Sequence, residues 1–81
     1  MTVTHLSVNL RLLSTYAPSI SELSRRLGIN RSQMNKYLSG MASPRPALMR
    51  RIGDYFGVEV YELLMPPSEF TELIRIQRGS T

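Results

Sequence analysis

Between positions 31 and 39 a guanidinium, two hydroxyls, a carboxamide and an ammonium stand at Arg31, Ser32, Asn35, Lys36 and Ser39, interleaved with Met34, Tyr37 and Leu38. If the three apolar side chains face a core, the five polar ones form the outer side of one short helix. Their chemistry is hydrogen bonding to acceptors and anions, which is recognition rather than bond breaking. A duplex major groove admits a single helix, and side chains near that helix's N-terminus reach base edges. Arg31 is the sharpest candidate, because its fork can donate two bonds to a guanine's O6 and N7, worth ~1–3 kcal/mol of discrimination. A cation in the first turn of a helix is opposed by the dipole by ~0.3–1 kcal/mol, so helix stability does not account for Arg31.

Positioning that outer side falls to residues 20–39, ISELSRRLGINRSQMNKYLS, which read as two short helices hinged at Gly28. Ser19 with Glu22 three residues on predicts a capping box, the hydroxyl meeting an orphan N–H and the carboxylate reaching back to the cap. Ile20, Leu23 and Leu27 then make one buried stripe, with Arg25 and Arg26 turned out. Gly28 ends this helix, since the closing turn needs a positive φ that glycine adopts without strain. Asn30 with Gln33 predicts a second capping box, and Gly40 closes the second helix.

Helix, glycine turn, helix at these residues resembles the helix-turn-helix of the Cro/C1 (XRE-like) DNA-binding family. Leu23-Ser24 matches its apolar-then-small pair, Gly28 its turn glycine, Ile29 the apolar residue after it, and Met34 the buried position of the second helix. Ser43-Pro44 before a helix, Phe56-Gly57-Val58, Val60 and Leu63-Leu64 are similar to the later part of the family pattern, so the resemblance runs from about Leu10 to Leu64. It implies an all-α fold: a compact bundle of five short helices of the lambda-repressor-like kind, over residues 1–65. It also implies a transcriptional regulator that binds double-stranded DNA as a homodimer on a two-fold operator, with the third helix, about 31–39, in the major groove.

By the same resemblance, base contacts fall on Arg31, Ser32 and Lys36, with Asn35 as a fourth; Lys36 reaches either a base or a phosphate. Backbone contacts are expected from Ser19, Asn30, Ser39, Ser43 and Arg45, through side-chain and backbone donors. The chain departs from the family at Ser14, where a second arginine is common, and at Ile20, where a glutamine often contacts a phosphate. Either backbone N–H groups suffice in that glutamine's place or the domain grips DNA less tightly, unless Arg25 or Arg26 compensates.

Charge is segregated along the chain. Of a net +4, the stretch from Arg11 to Arg51 holds eight bases against one acid, and that from Ile52 to Ile74 holds five acids and no base. One surface facing a polyanion accounts for such a split; solvated helix faces account for it too. The absence of cysteine excludes disulfides and thiolate metal sites and fits a reducing cytoplasm. No apolar run approaches the roughly 20 residues that span a bilayer, and the first residues lack the basic start and cleavage site of a secretory signal. With a single histidine, His5, no phosphate loop and no placed carboxylate pair, no catalytic site, cofactor or metal is expected.

The rest of the chain supplies the frame. Residues 3–14 predict the first helix, capped by Thr4, with Leu6, Leu10 and Leu13 on one face; residues 15–18 connect it onward. After the loop 41–45, Pro46 opens a helix to Phe56 with Leu48 or Met49, Ile52, Tyr55 and Phe56 inward. Gly53 within it costs up to ~1 kcal/mol relative to alanine, which close packing against a neighbouring helix would explain. Residues 60–65 form the fifth helix, stopped by Pro66-Pro67. The extension 66–81 predicts a sixth helix from Ser68, with Phe70, Leu73, Ile74 and Gln77 on one face, and a frayed end over 78–81. That apolar stripe either folds back onto the first helix or meets a protein partner or further domain. Together with the acidic half it sustains a second reading, a protein-interaction module on the same fold, antitoxin-like or coactivator-like.

Overall fold

Local chemistry decides where each helix starts. The computed structural model describes residues 3–79, in which six helices follow one another: α1 (His5–Ser14), α2 (Ile20–Leu27), α3 (Arg31–Ser39), α4 (Pro46–Phe56), α5 (Val60–Leu63) and α6 (Pro67–Gly79). No strand occurs among the described residues. At α1, the Ser7 N–H donates to Thr4 Oγ1 and the Thr4 N–H to Ser7 Oγ, each at 3.0 Å, a reciprocal box that starts the helix at His5 instead of residue 3. The Glu22 N–H donates to Ser19 Oγ at 3.0 Å, and the Gln33 N–H to Asn30 Oδ1 at 2.7 Å.

In neither of these two caps does the expected return bond form. Glu22 directs its carboxylate to Arg25 and Arg26, since charge-assisted bonds to guanidinium are stronger than one to a backbone N–H. Gln33 donates instead to Tyr37 Oη at 2.9 Å, one helical turn on. The helix ends follow the glycines: Gly28, Gly40 and Gly57 take φ of 74°, 82° and 73°, so α2, α3 and α4 each close in a left-handed turn.

A single core joins all six helices: Leu6, Leu10 and Leu13 of α1, Leu23 and Leu27 of α2, Met34 and Tyr37 of α3, Ile52 and Phe56 of α4, Val58, Leu63 of α5, and Phe70 and Ile74 of α6. The apolar stripe of α6 therefore folds back on α1. Phe70 and Ile74 are buried within the chain and Leu73 is half-buried, so these side chains do not form the open partner surface that the stripe allowed; Gln77 lies outside it, exposed. α6 starts at Pro67 rather than Ser68, because a proline at the first helical position gives up only an N–H that would have no partner. Arg78 and Gly79 are helical instead of frayed; Ser80 and Thr81 lie outside the described residues.

α5 stops at Leu63, two residues earlier than expected. A one-turn helix leaves its last carbonyls without intrahelical partners. Asn9, buried in the leucine face of α1, supplies one: its Nδ2 donates to the carbonyl of Leu63 and also to that of Met65 just beyond the helix, both at 2.9 Å. Tyr55, expected inside, is 38% exposed and meets Phe56 edge-on, with ring centroids 4.7 Å apart.

Gly53 packs closely, though against the turn that leaves its own helix. A Cβ there would sit 2.5 Å from the Val58 carbonyl oxygen, and the Val58 N–H donates to the Gly53 carbonyl at 2.9 Å. Gly53→Ala gains up to ~1 kcal/mol of helix propensity, but overpacking against backbone costs ~1–3 kcal/mol. The clash wins: a net loss of about 1–2 kcal/mol is expected, seen as a lower urea midpoint with an unchanged m-value.

Candidate nucleic-acid interface

The left-handed turn at Gly28 brings α3 back beside α2. The Gly28 N–H donates to the Arg25 carbonyl and the Ile29 N–H to that of Ser24, so the end of α2 is satisfied before α3 begins two residues later. Ser24 is buried, and its hydroxyl turns back to the Ile20 carbonyl at 2.8 Å instead of into the core.

On α3, Met34 is fully buried and Tyr37 is 7% exposed, so both are core residues. Arg31, Ser32, Asn35 and Lys36 are all exposed and occupy one edge of the helix that no other described residue covers. Asn30 adjoins this edge at the cap, its Oδ1 held by Gln33 and its amide NH2 left to donate. Ser39 is set apart: it is half-buried and its hydroxyl donates to the Lys36 carbonyl at 3.1 Å. Ser19 is exposed with its oxygen accepting in the α2 cap, which leaves the hydroxyl hydrogen free. Ser43 and Arg45 lie exposed in the loop after α3, and Arg45 precedes α4 without any side-chain capping bond.

Which cations remain available is decided by the fold. Arg11 Nε donates to the Leu38 carbonyl at 2.7 Å, Arg51 Nη1 to that of Leu27 at 3.1 Å, and Arg78 Nη2 to that of Phe56 at 2.9 Å. Each guanidinium sits at the C-terminal end of a different helix, α3, α2 and α4, where the dipole is negative and carbonyls lack intrahelical partners. Arg78 also stacks over the Tyr16 ring, 4.7 Å from its centroid.

Arg25 and Arg26 both bond Glu22, whose carboxyl is held below its usual titration range, first by the hydrogen bond from Arg25 and then by that from Arg26. Arg75 pairs with Glu72. The arginines that were to stand in for a glutamine at Ile20 are thus engaged on α2 itself. Among the described residues Lys36, Arg45 and Arg50 have no protein partner, and Arg31 has one, Ser21, whose Oγ lies 3.5 Å from its Nη1. Ser21 was not legible as a site residue; the missing glutamine pointed to this turn without singling out its hydroxyl.

Among the described residues no three His, Asp or Glu side chains are grouped to hold a metal ion, and no helix is long and apolar enough to cross a membrane. The helix-turn-helix family matches residues 19–63, from the cap of α2 to the last residue of α5. α1 and α6 lie outside that match yet contribute Leu10, Leu13, Phe70 and Ile74 to the same core. No curated protein and no solved structure shows significant similarity to the chain.

Proposed function

Because the chain belongs to the Cro/C1-type (XRE-like) helix-turn-helix family, whose domains are DNA-binding and non-enzymatic, we propose that it is a sequence-specific regulator that sets α3 in the major groove of duplex DNA. One observation carries this reading: Arg31, Ser32, Asn35 and Lys36 form an uncovered polar edge on a helix whose other side is anchored by Met34 and Tyr37. Arg31 reads a guanine, Ser32 and Asn35 follow it into the groove, and Lys36 meets a base or a phosphate. Asn30, Ser19, Ser43 and Arg45 hold the sugar-phosphate backbone. Ser39 is a weaker member of that set, its hydroxyl being turned to its own helix. The protein acts as a homodimer on a two-fold operator, an assignment that rests on the family alone, and in the cytoplasm, which the absence of cysteine favours.

Two measurements test it. With Lys36, Arg45 and Arg50 as the cations open to phosphate, log K should fall with log salt at a slope of about −2 to −3 per domain. Arg31→Ala should lower discrimination between a selected site and random duplex by ~1–3 kcal/mol while the fold stays intact. Equal loss on every sequence would make Arg31 a phosphate contact. Affinity for DNA that ignores salt would favour the second reading, a protein-interaction module of antitoxin-like or coactivator-like type. That reading now draws on Tyr61, 69% exposed, and Leu64 within the acidic stretch, in place of the buried stripe of α6.

A further inference from the structure

Arg31 is a long side chain on an exposed first turn, opposed by the dipole of its own helix. Binding that had to freeze such a chain from free solution would lose much of what its two hydrogen bonds contribute. The structure places one acceptor at the outer limit of hydrogen-bonding reach. The Nη1 of Arg31 lies 3.5 Å from Ser21 Oγ, ten residues earlier, the one side-chain hydrogen bond between α2 and α3 among the described residues. The rest of α2 offers no competing acceptor: Ile20 has no polar side-chain atom, Ser24 bonds the Ile20 carbonyl, and Glu22 is held by Arg25 and Arg26. Ser14, Ser24 and Ser39 all turn their hydroxyls to carbonyls of their own helices, whereas the partner of Ser21 is Arg31.

We infer that Ser21 is a positioning residue for base selection: its hydroxyl accepts from Nη1 of Arg31 and orients the guanidinium, leaving Nε and Nη2 to donate side by side to a guanine. This rests on the reading of Arg31 as the base-reading residue. Ser21 does not touch the base. It acts by reducing the number of orientations Arg31 must give up, so its removal weakens preference for guanine more than it weakens attachment to DNA in general.

The experiment uses the full chain and duplexes selected from a randomised pool. The first step finds the G·C pair at which the wild-type protein discriminates and Arg31→Ala does not. At that pair Ser21→Ala should reduce the preference for G·C over A·T by about three- to tenfold, a range typical of coupled neighbours. Ser21→Thr, which keeps the acceptor, should restore it, and Ser21→Ala should add nothing in an Arg31→Ala background. Thermal melting and the salt slope should not move. Should no G·C pair lose its preference with Arg31→Ala, both the parent reading and this inference fall. If such a pair exists but Ser21→Ala leaves its preference intact, or weakens all sequences equally, only the role of Ser21 is overturned.

Discussion

Met34→Asp is expected to abolish the cooperative unfolding transition of the domain at neutral pH. Met34 is fully buried in α3, and the core cluster it belongs to holds no charged residue. Loss of the methionine's packing costs ~2–5 kcal/mol, and an unsatisfied buried polar group adds ~1–3 kcal/mol. A domain of this size is stable by roughly 0.05–0.15 kcal/mol per residue, so the sum approaches the whole. Burial also holds the new carboxyl's pKa above its ordinary value. The native state then takes up a proton that the unfolded chain does not, so some stability should return as the pH falls toward 4. Circular dichroism across a urea series at pH 7 and pH 5 checks both parts. A normal, pH-independent transition would mean that α3 is not anchored through Met34, and the polar edge opposite would lose its support.

Phe70→Ala should cost about 3–5 kcal/mol, the usual range for a fully buried phenylalanine. For a domain of this length that corresponds to a fall in melting temperature of roughly 15 °C or more. The size of the effect matters because α6 lies outside the stretch matched by the helix-turn-helix family. It packs on α1, and α1 in turn supports α3, with Arg11 bonded to the Leu38 carbonyl. A large loss would show that the extension is part of the folding unit that presents the polar edge. A loss below 1 kcal/mol would show that α6 is an appendage. Because Phe70 is remote from the polar edge in sequence and buried, the folded fraction of this variant should keep the wild-type preference among DNA sequences.

What could be read from the chain beforehand was what local chemistry controls. Ser19, Asn30 and Thr4 cap the helices they were expected to cap, and Gly28, Gly40 and Gly57 close theirs, because a cap joins residues two or three apart. The return halves of two capping boxes were misread for the same reason in reverse: Glu22 and Gln33 each had another partner one turn along the helix. Periodicity put Met34 and Tyr37 inside and left Arg31, Ser32, Asn35 and Lys36 outside. It misplaced Tyr55, which sits at the margin of the α4 stripe, where a small rotation decides exposure.

Long-range partners had no local signature. Asn9 looks like an interruption of a leucine face until Leu63 and Met65, more than fifty positions away, are brought to its amide. The folding back of Phe70 and Ile74 was one of two readings that an amphipathic stripe permits. Counting bases along the chain suggested a broad cationic half, whereas Arg11 and Arg51 within it are held by helix-end carbonyls 27 and 24 positions away. Glu22 holds Arg25 and Arg26, and Arg78 further on is held as Arg11 and Arg51 are.

Those three arginines at helix ends are held differently from the cations open to a duplex. Arg11, Arg51 and Arg78 touch their carbonyls at 2.7–3.1 Å, far inside the ~10 Å over which dissolved ions at 0.1 M weaken an attraction. The cations open to a duplex instead compete with a counterion atmosphere that thickens with every addition of salt. Brine strong enough to strip the nucleic acid away should therefore leave behind an intact scaffold, ready to rebind on dilution.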